Sequence, residues 1–563
     1  MILNLFFFIL FYFFVSLSIL GFGFLLTSNK KLNFSYSLGY KGLAGILLIS
    51  LYSYITSLFI SHSEFHNLIL LLIGFIFLLV KLKNNVFKNN NEIKFYFFFK
   101  IIFFLGICIF KTHDDFYYYH FQFSHILTQY KIPFGIGSFD LGYRTPSSLF
   151  YINSLFYLPI INFYSFHFIV LIIFLFSNLI FLREITDRFK RREFNFLSFY
   201  SLISLIFIIT FFPRFAEHGT DLSAQILILL LFLEIFKIIL NEIKIREQLS
   251  KVLLLISLII GFKAFYVLYF IFIFFIAIFI MKIKNFGILK IYFFKNFYFY
   301  FFLIKVSLIF FHSFMNTGCL IYPVTFLCFE NFIWSIKINE VNELNNWYQL
   351  WSKGGATPNY RVENPEVFIK NLNWVSTWIK VYFFNKILDF LLGIIFLAVI
   401  CLLFFYPFRK EKIIKKNFFF TILIIILLLL LLEWFLNHPA LRYGGYSLIA
   451  VLIFVFLCSF YERSSLKKSQ LKNRFIFLII LSLFVFNLRN LSRIYQENKK
   501  YGYNVFSSVY FDFKENHMNF HKHYSFLINN YDLCSKDISN KDCKKNTSPS
   551  VNKIFGYYVF YNK

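Results

Sequence analysis

Apolar runs long enough to cross a bilayer recur along this chain, and short polar segments separate them. A transmembrane helix needs about 20 mostly apolar residues, because it rises about 1.5 Å per residue. Of the 563 residues, 59% are hydrophobic and only 15% are charged, which excludes an ordinary soluble protein. The pattern predicts an all-α integral membrane protein with about 12–14 transmembrane helices, juxtamembrane helices in its external loops and a short polar C-terminal tail.

Basic residues are concentrated in alternate loops. Of the 56 Lys and Arg residues, 31 lie in one set of loops and 10 in the other set. The positive-inside rule assigns the first set to the cytoplasm, which accounts for the net charge of +28 without a nucleic-acid partner. The basic loops are 28–41, 81–100, 183–193, 237–251, 282–295, 408–416 and 462–474.

The chain divides into a polytopic domain, 1–488, and a polar tail, 489–563. The candidate catalytic core lies at about 95–460. The stretch 252–281 has basic residues on both sides, and the charge alternation favours two helices there over one long tilted helix. Alternation also places the N-terminus and the tail outside the cytoplasm. We expect a bacterial inner (plasma) membrane protein whose working face is extracytoplasmic, because all six Trp lie in the external loops or at the outer end of a span.

The seven cysteines fall into two groups. Cys534 and Cys543 lie in the tail, where a local disulfide and a free pair are both consistent with the sequence. The other five lie in or beside apolar segments and are expected to behave as small core residues. They are Cys108, Cys319, Cys328, Cys401 and Cys458.

The first large external loop begins with two adjacent carboxylates, Asp114 and Asp115, directly after an apolar run. His113 precedes them, and Tyr118 and Arg144 follow in the same loop. Ionisable residues at the edge of a membrane segment are costly, so they indicate a functional site. A solvated loop that begins with acids is the alternative interpretation.

Three further external segments carry polar residues at the mouth of a span. The first contains Glu217, His218 and Asp221, for which helix capping explains the acids equally well. The second is the stretch 317–323, which includes Tyr322, and the third contains Arg442 and Tyr443.

The order of these elements resembles the GT-C class of polytopic glycosyltransferases, which includes mannosyltransferases and aminoarabinose transferases that use polyprenyl-phosphate sugars. Asp114-Asp115-Phe116-Tyr117-Tyr118 looks like the acidic motif of that class. The stretch 317–323 is similar to its Gly-Asn-Pro-x-Tyr-Pro element but has Cys319-Leu320 in place of Asn-Pro. Arg442-Tyr443 looks like the Arg-Tyr that opens a late helix, followed here by two glycines.

The resemblance implies transfer of a sugar from a polyprenyl-phosphate donor to a lipid, glycan or protein acceptor. Asp114 or Asp115 would then act as the base, with Glu217 and Asp221 as further acids. Asp114 and Asp115 are also candidate ligands of Mg²⁺ or Mn²⁺. Arg442 would hold the phosphate, and Lys263 either faces the same cavity or extends to the interface. Other candidate substrate-binding residues are His113, Tyr118, Arg144, His218, Tyr322 and Tyr443.

Three other functions compete with this interpretation. A transporter or flippase for lipid-linked sugars should place ionisable residues near the bilayer midplane, where only Lys263 is expected here. A polysaccharide polymerase or ligase should have external loops rich in Arg and His, whereas this first loop is acidic. A structural membrane protein without chemistry is the third alternative.

Overall fold

The structure is a computed structural model, and the residues it describes form a large helical bundle with a small C-terminal unit on one end. The described residues are 2–27, 36–83, 90–213, 215, 219–240, 245–357, 362–409, 418–536, 543–544 and 547–562.

Twenty-one α-helices are described in these residues. In chain order they are α1 (Ile2–Thr27), α2 (Leu38–Thr56), α3 (Glu64–Lys83), α4 (Asn90–Phe103), α5 (Phe121–Gln129), α6 (Ser148–Ser154), α7 (Phe168–Arg191), α8 (Phe196–Phe211), α9 (Gly219–Ile239), α10 (Ile245–Phe262), α11 (Ile271–Ile283), α12 (Phe286–Phe294), α13 (Phe297–Thr317), α14 (Ile338–Lys353), α15 (Pro365–Ile369), α16 (Val375–Trp378), α17 (Leu388–Phe405), α18 (Phe418–Asn437), α19 (Gly445–Tyr461), α20 (Lys468–Tyr501) and α21 (Asn519–Lys536).

Within the described ranges, ten helical stretches are long and apolar enough to cross a membrane, and α8 and α19 are shorter apolar helices. The chain is therefore an all-α multi-pass membrane protein, as the sequence predicts. Helices α7 and α9 lie fully inside the bundle, whereas α3, α13 and α18 expose apolar side chains at the periphery. Such a surface is suited to contact with lipid.

Glycines allow the first three helices to approach closely. A Cβ on Gly21 of α1 would lie 1.7 Å from the carbonyl oxygen of Gly74 in α3, and a Cβ on Gly45 of α2 would lie 2.0 Å from the carbonyl oxygen of Ile19. Small residues permit such backbone contact, which is a common way to hold membrane helices together.

The chain breaks its helix at Lys263, between α10 and a 3₁₀ helix, Ala264–Phe270, that leads into α11. Lys263 has extended backbone angles, φ −152° and ψ 126°. The predicted pair of helices in this region is therefore confirmed.

The bundle buries several ionisable side chains, whereas the sequence analysis expected a single charge, Lys263, within a span. Lys100, Lys305, Glu234 and Lys237 all lie inside described helices and are buried. Lys237 pairs with Glu234 at 2.9 Å and with Glu184 at 2.7 Å. This expectation was wrong because a long apolar run can tolerate single charges wherever neighbouring helices supply partners.

The C-terminal unit packs on the loop that follows α4. Helix α20 continues to Tyr501, past the sequence-based boundary at 489, and is followed by α21 and a hairpin of β1 (Ser550–Ile554) and β2 (Tyr557–Tyr561). The backbone nitrogen of Asp512 donates to the carbonyl oxygen of Phe110 at 2.9 Å, which ties this unit to the start of the acidic loop.

Two disulfides lie at this same end of the bundle. Cys534 and Cys543 are bonded, which settles the choice that the sequence left open. Cys319 and Cys328 are also bonded, so the expectation that they are small core residues was wrong. Both cysteines lie in the loop after α13, but the apolar residues around them made this loop look like part of a membrane segment. Cys108, Cys401 and Cys458 are free and buried, as expected.

Candidate functional site

Arg442 lies at the centre of a charged cluster where four distant segments of the chain meet. Its Nε lies 3.0 Å from Oδ2 of Asp221, and its Nη2 lies 3.1 Å from Oδ2 of Asp115. The other carboxylate oxygen of Asp221 lies 2.8 Å from Nζ of Lys263. We call these four residues, Asp115, Asp221, Lys263 and Arg442, the Arg442 cluster, and the end of the bundle that carries them the Arg442 end.

Helix ends position two members of the cluster, Asp221 and Lys263. Asp221 lies in the first turn of α9 and is buried, and Lys263 lies at the break after α10. Because α9 and α10 are antiparallel neighbours, the start of one meets the end of the other. The break at Lys263 then directs its side chain toward Asp221 instead of continuing the helix.

Glycine and glutamine fix the turn that carries Arg442. Gly444 adopts φ +96°, a left-handed conformation that favours glycine, and a Cβ there would lie 3.1 Å from the ring of Tyr266. The side chain of Gln225 donates to the carbonyl oxygen of Arg442 at 3.2 Å and accepts from the backbone nitrogen of Ser447 at 3.2 Å. These hydrogen bonds fix the backbone that carries the Arg442 side chain.

Aromatic rings form one wall of the cluster. The guanidinium carbon of Arg442 lies 5.6 Å from the ring centroid of Trp351, and Nζ of Lys263 lies 5.6 Å from that of Tyr443. Trp351 and Tyr443 are themselves in edge contact at 5.8 Å. These rings attract both cations and limit their contact with water.

The two adjacent acids of the first loop separate in the structure. Asp115 is 30% exposed and faces Arg442, whereas the side chain of Asp114 is 90% exposed and lies 3.5 Å from Lys111. His113 lies beside Asp115, because its Nδ1 accepts from the Asp115 backbone nitrogen at 3.1 Å and lies 3.5 Å from Oδ2. Only Asp115 of the pair belongs to the Arg442 cluster.

Arg144 and Tyr322 form a neighbouring cluster of their own. Arg144 donates to the carbonyl oxygen of Gly137 at 3.0 Å, to the Tyr322 hydroxyl at 3.1 Å and to Glu340 at 3.1 Å. Its side chain is only 8% exposed, compared with 31% for Arg442. The structure thus gives Arg144 three fixed protein partners outside the Arg442 cluster.

Burial and charge act in opposite directions on the central guanidinium. Burial by itself would lower the pKa of Arg442, but the surrounding acidic groups, Asp221 foremost, together outweigh burial, so that the pKa lies well above its ordinary value. Burial also raises the pKa of Tyr348 to about 12, with the charges of Arg144 and Arg442 acting in the opposite direction. Arg442 is therefore a permanent cation.

Three further predicted residues lie either outside this cluster or outside the described residues. Tyr118 is exposed, and its hydroxyl donates to Asp140 at 2.7 Å. Glu217 and His218 lie outside the described residues. Among the residues that are described, no three His, Cys, Asp or Glu side chains gather as a metal site, and Asp114 and Asp115 do not face a common point. The described residues therefore do not fit a divalent-ion site built on this acidic pair, and Mg²⁺ or Mn²⁺ stays a prediction.

Two residues near the cluster, Gln225 and His120, were not predicted as site residues from the sequence. Gln225 lies four residues after Asp221, which places both on one face of α9, and this spacing could have revealed it. His120 is buried, and its Nε2 has no hydrogen-bond partner among the described residues. Burial lowers its pKa well below the ordinary value, so His120 is a neutral imidazole. No sequence signal distinguished it from the other histidines of the loop.

Comparison with known proteins places the chain in one family. The model of the family described as domain of unknown function DUF8201 matches residues 1–449, and the chain belongs to that family. No curated protein matches the chain, and no solved structure matches it. All four members of the Arg442 cluster lie within the matched residues, whereas α20 and the C-terminal unit lie beyond them.

Proposed function

For this member of the DUF8201 family, we propose an integral membrane glycosyltransferase. It takes a sugar from a polyprenyl-phosphate donor and transfers it to a lipid, glycan or protein acceptor. The reaction takes place on the extracytoplasmic side of the plasma membrane. The observation that carries this proposal is the Arg442 cluster, which combines two carboxylates and two cations at one end of the bundle.

The cluster supplies both groups that inverting sugar transfer requires. A carboxylate must accept the proton of the acceptor hydroxyl as its oxygen attacks the anomeric carbon. The bond from that carbon to the phosphate oxygen breaks, and cations must stabilise the departing lipid phosphate. Asp115 is the partly exposed carboxylate and takes the first role, whereas Arg442 and Lys263 take the second.

Charge balance couples the two roles. The formal charges of the four side chains sum to zero, so an incoming phosphodiester must replace a carboxylate at one of the cations. Asp115 is the more exposed of the two carboxylates, and Arg442 is its cation. A phosphate that takes this position releases Asp115 from its ion pair, and the released carboxylate can then accept the proton of the acceptor hydroxyl. Asp221, buried and held by both cations, keeps them in place.

Two features support the extracytoplasmic placement. Both disulfides lie at the Arg442 end, and disulfides persist in oxidising compartments. Described parts of the basic loops lie at the opposite end, where Arg246 donates to the carbonyl oxygen of Lys295 and Arg474 donates to the carbonyl oxygen of Phe404. Basic loops favour the cytoplasmic side.

The adjacent acids provide a matched test. In membranes from expressing cells, wild-type protein should incorporate labelled sugar from a panel of polyprenyl-phosphate sugars. Asp115→Asn should lower incorporation by about 100-fold or more, because the base is lost. Asp114→Asn removes the same charge one residue away, outside the Arg442 cluster, and should lower incorporation by about tenfold at most, since no more than a hydrogen-bond contribution is lost.

Equal protein levels for the three proteins, measured by immunoblot, are the control for folding. Two results would contradict the proposal. Incorporation that survives Asp115→Asn would remove the Arg442 cluster from the chemistry, and wild-type membranes that incorporate none of the donors would argue against the transferase itself.

A transporter of lipid-linked sugars is the second candidate, and Lys305 favours it. This lysine is buried within α13, where Nζ donates to the Ser50 hydroxyl at 2.5 Å and lies 3.9 Å from the ring centroid of Tyr54. No carboxylate of the described chain pairs with it. Intramembrane cations of this kind often mark a transport path. Movement of labelled lipid-linked sugar across proteoliposomes that is lost in Lys305→Met, without any transfer, would favour the transporter.

A further inference from the structure

A cleft of about 540 Å³ opens beside the Arg442 cluster, between the acidic loop and the C-terminal unit. Its volume lies in the range of small-molecule sites, about 300–1,000 Å³. One side comes from the loop after α4 and the other from the residues around α21. The lining residues are Asp114, Tyr117, Tyr118, Gln122, Ser138, Phe139, Asp140, Tyr143, Asn516, His517, Phe520, His523, Ser548 and Pro549.

The two sides of the cleft are held together by direct contacts. The ring of Tyr117 stacks on His517 at 3.7 Å between centroids, and Phe520 packs on Tyr143 at 4.7 Å. The Tyr117 hydroxyl donates to the carbonyl oxygen of Asp512, and the Gln122 amide donates to that of His517. The cleft is therefore a built feature of the fold that neither side forms alone.

The chemistry of the lining indicates the class of ligand. The exposed ring of Tyr118 offers a flat surface for the C–H face of a sugar ring. Asp114 and Asp140 offer carboxylate oxygens to hydroxyl donors, and Tyr118 brings its hydroxyl to Asp140 at 2.7 Å. None of the described lining side chains is a Lys or Arg, so the cleft is unsuited to a phosphate. A neutral ligand rich in hydroxyl groups fits this lining.

The cleft adjoins the proposed reaction centre. Asp114 in the cleft and Asp115 in the Arg442 cluster are consecutive residues. Tyr119 links the two sites, since it directly follows Tyr118 of the cleft lining and interacts electrostatically with Asp115 and Arg442 of the cluster. A sugar held in the cleft can therefore present a hydroxyl toward Asp115.

We propose that this cleft is a saccharide-binding site, formed jointly by the acidic loop and the C-terminal unit, that holds the sugar of the acceptor. The cleft itself is argued from its own residues, and only the assignment of its ligand as the acceptor rests on the proposed function. The acceptor of this protein is then a glycan or glycolipid, recognised through neutral hydroxyl groups.

Direct binding tests the cleft without any transfer reaction. The full chain in lipid nanodiscs is mixed with methyl glycosides of glucose, galactose, mannose and N-acetylglucosamine, and saturation-transfer NMR reports which of them bind. We expect at least one glycoside to bind wild type, and Tyr118→Ala and Asp140→Asn each to weaken that binding by about tenfold. Tyr495→Ala is the matched control, because Tyr495 is 60% exposed, Tyr118 is 59% exposed, and Tyr495 does not line the cleft.

The outcomes distinguish failure of the cleft proposal from failure of the proposed function. Binding that is lost in both cleft variants and kept in Tyr495→Ala supports the site, even if no donor sugar is ever transferred. A protein that binds none of the glycosides, or whose binding survives both cleft substitutions, overturns it, even if transfer is observed. Unchanged thermal unfolding of the variants shows that the loss is local.

Discussion

Two arginines at the same end of the bundle, Arg442 and Arg144, have opposite environments. Arg144 is nearly inaccessible and is held by a backbone carbonyl, a tyrosine hydroxyl and Glu340. Arg442 is 31% exposed and is held by two carboxylates, one of which is itself partly exposed. A guanidinium that is itself buried, as in Arg144, stabilises loops, whereas a guanidinium that is itself partly exposed, as in Arg442, can receive a ligand.

The two arginines also differ in what surrounds them. Arg144 joins the loop after α4 to Glu340 of α14 and to Tyr322 before it, and the Cys319–Cys328 disulfide constrains the nearby chain. Arg442 stands among Lys263, Trp351 and Tyr443, so a second cation and two rings share its space. Only the second environment brings two cations together, and both of them are partly exposed. The following predictions test this comparison.

The largest effect is expected for Arg442→Gln. Loss of the central cation should lower sugar transfer by about 100- to 1,000-fold, because a developing phosphate charge loses its main stabilising group. Arg442→Lys should recover part of the activity, since lysine restores the positive charge. It lacks the planar guanidinium that contacts two carboxylates at once. Incorporation of labelled sugar per unit of protein is the measurement, and full activity in Arg442→Gln would contradict the assignment.

A smaller effect, on stability and not on chemistry, is expected for Arg144→Gln. The substitution leaves Glu340 and the Tyr322 hydroxyl without their partner and should lower the free energy of unfolding by about 2 kcal/mol. Thermal unfolding followed by size-exclusion chromatography measures this change. Activity per folded molecule should stay within about twofold.

The double variant Arg144→Gln/Glu340→Gln provides the control for that loss. Removing the unpaired carboxylate should restore part of the stability. A drop in activity that exceeds the drop in folded protein would show that Arg144 contacts substrate, and the contrast between the two arginines would then fail.

The smallest effect is expected for Gln225→Ala. Its amide holds the Arg442 turn through hydrogen bonds to the backbone, so its loss should lower transfer by about tenfold without removing any charge. Gln248→Ala, which alters another buried glutamine in α10, is the matched control. Equal activity of the two variants would show that the turn does not depend on Gln225.

The sequence predicted much of the fold because membrane insertion depends on local composition. The apolar runs and the alternation of basic loops yielded the helices, including the pair separated at Lys263. Single residues in these runs were harder to interpret. Lys305 and Lys100 were missed, since Lys305 donates to Ser50 and Lys100 to the carbonyl oxygen of Phe13, both in helices far away in the sequence.

The candidate site was partly predictable for a related reason. Asp115, Asp221, Lys263 and Arg442 were each singled out as polar residues at the ends of apolar runs. Their common location could not be derived, because it depends on which helices are neighbours. The separation of Asp114 from Asp115 was equally inaccessible, since only packing determines which of two consecutive side chains faces the bundle.

By itself, the sequence determined that the chain is a multi-pass helical membrane protein and which of its loops carry unusual charge. The physical reason is that the cost of placing polar groups in lipid acts on each segment separately. The tertiary structure alone decided that Arg442 joins Asp115 and Asp221, that Arg144 does not, and that the C-terminal unit completes a cleft beside them. Those contacts join residues hundreds of positions apart, and only the packing of whole helices brings them within hydrogen-bonding distance.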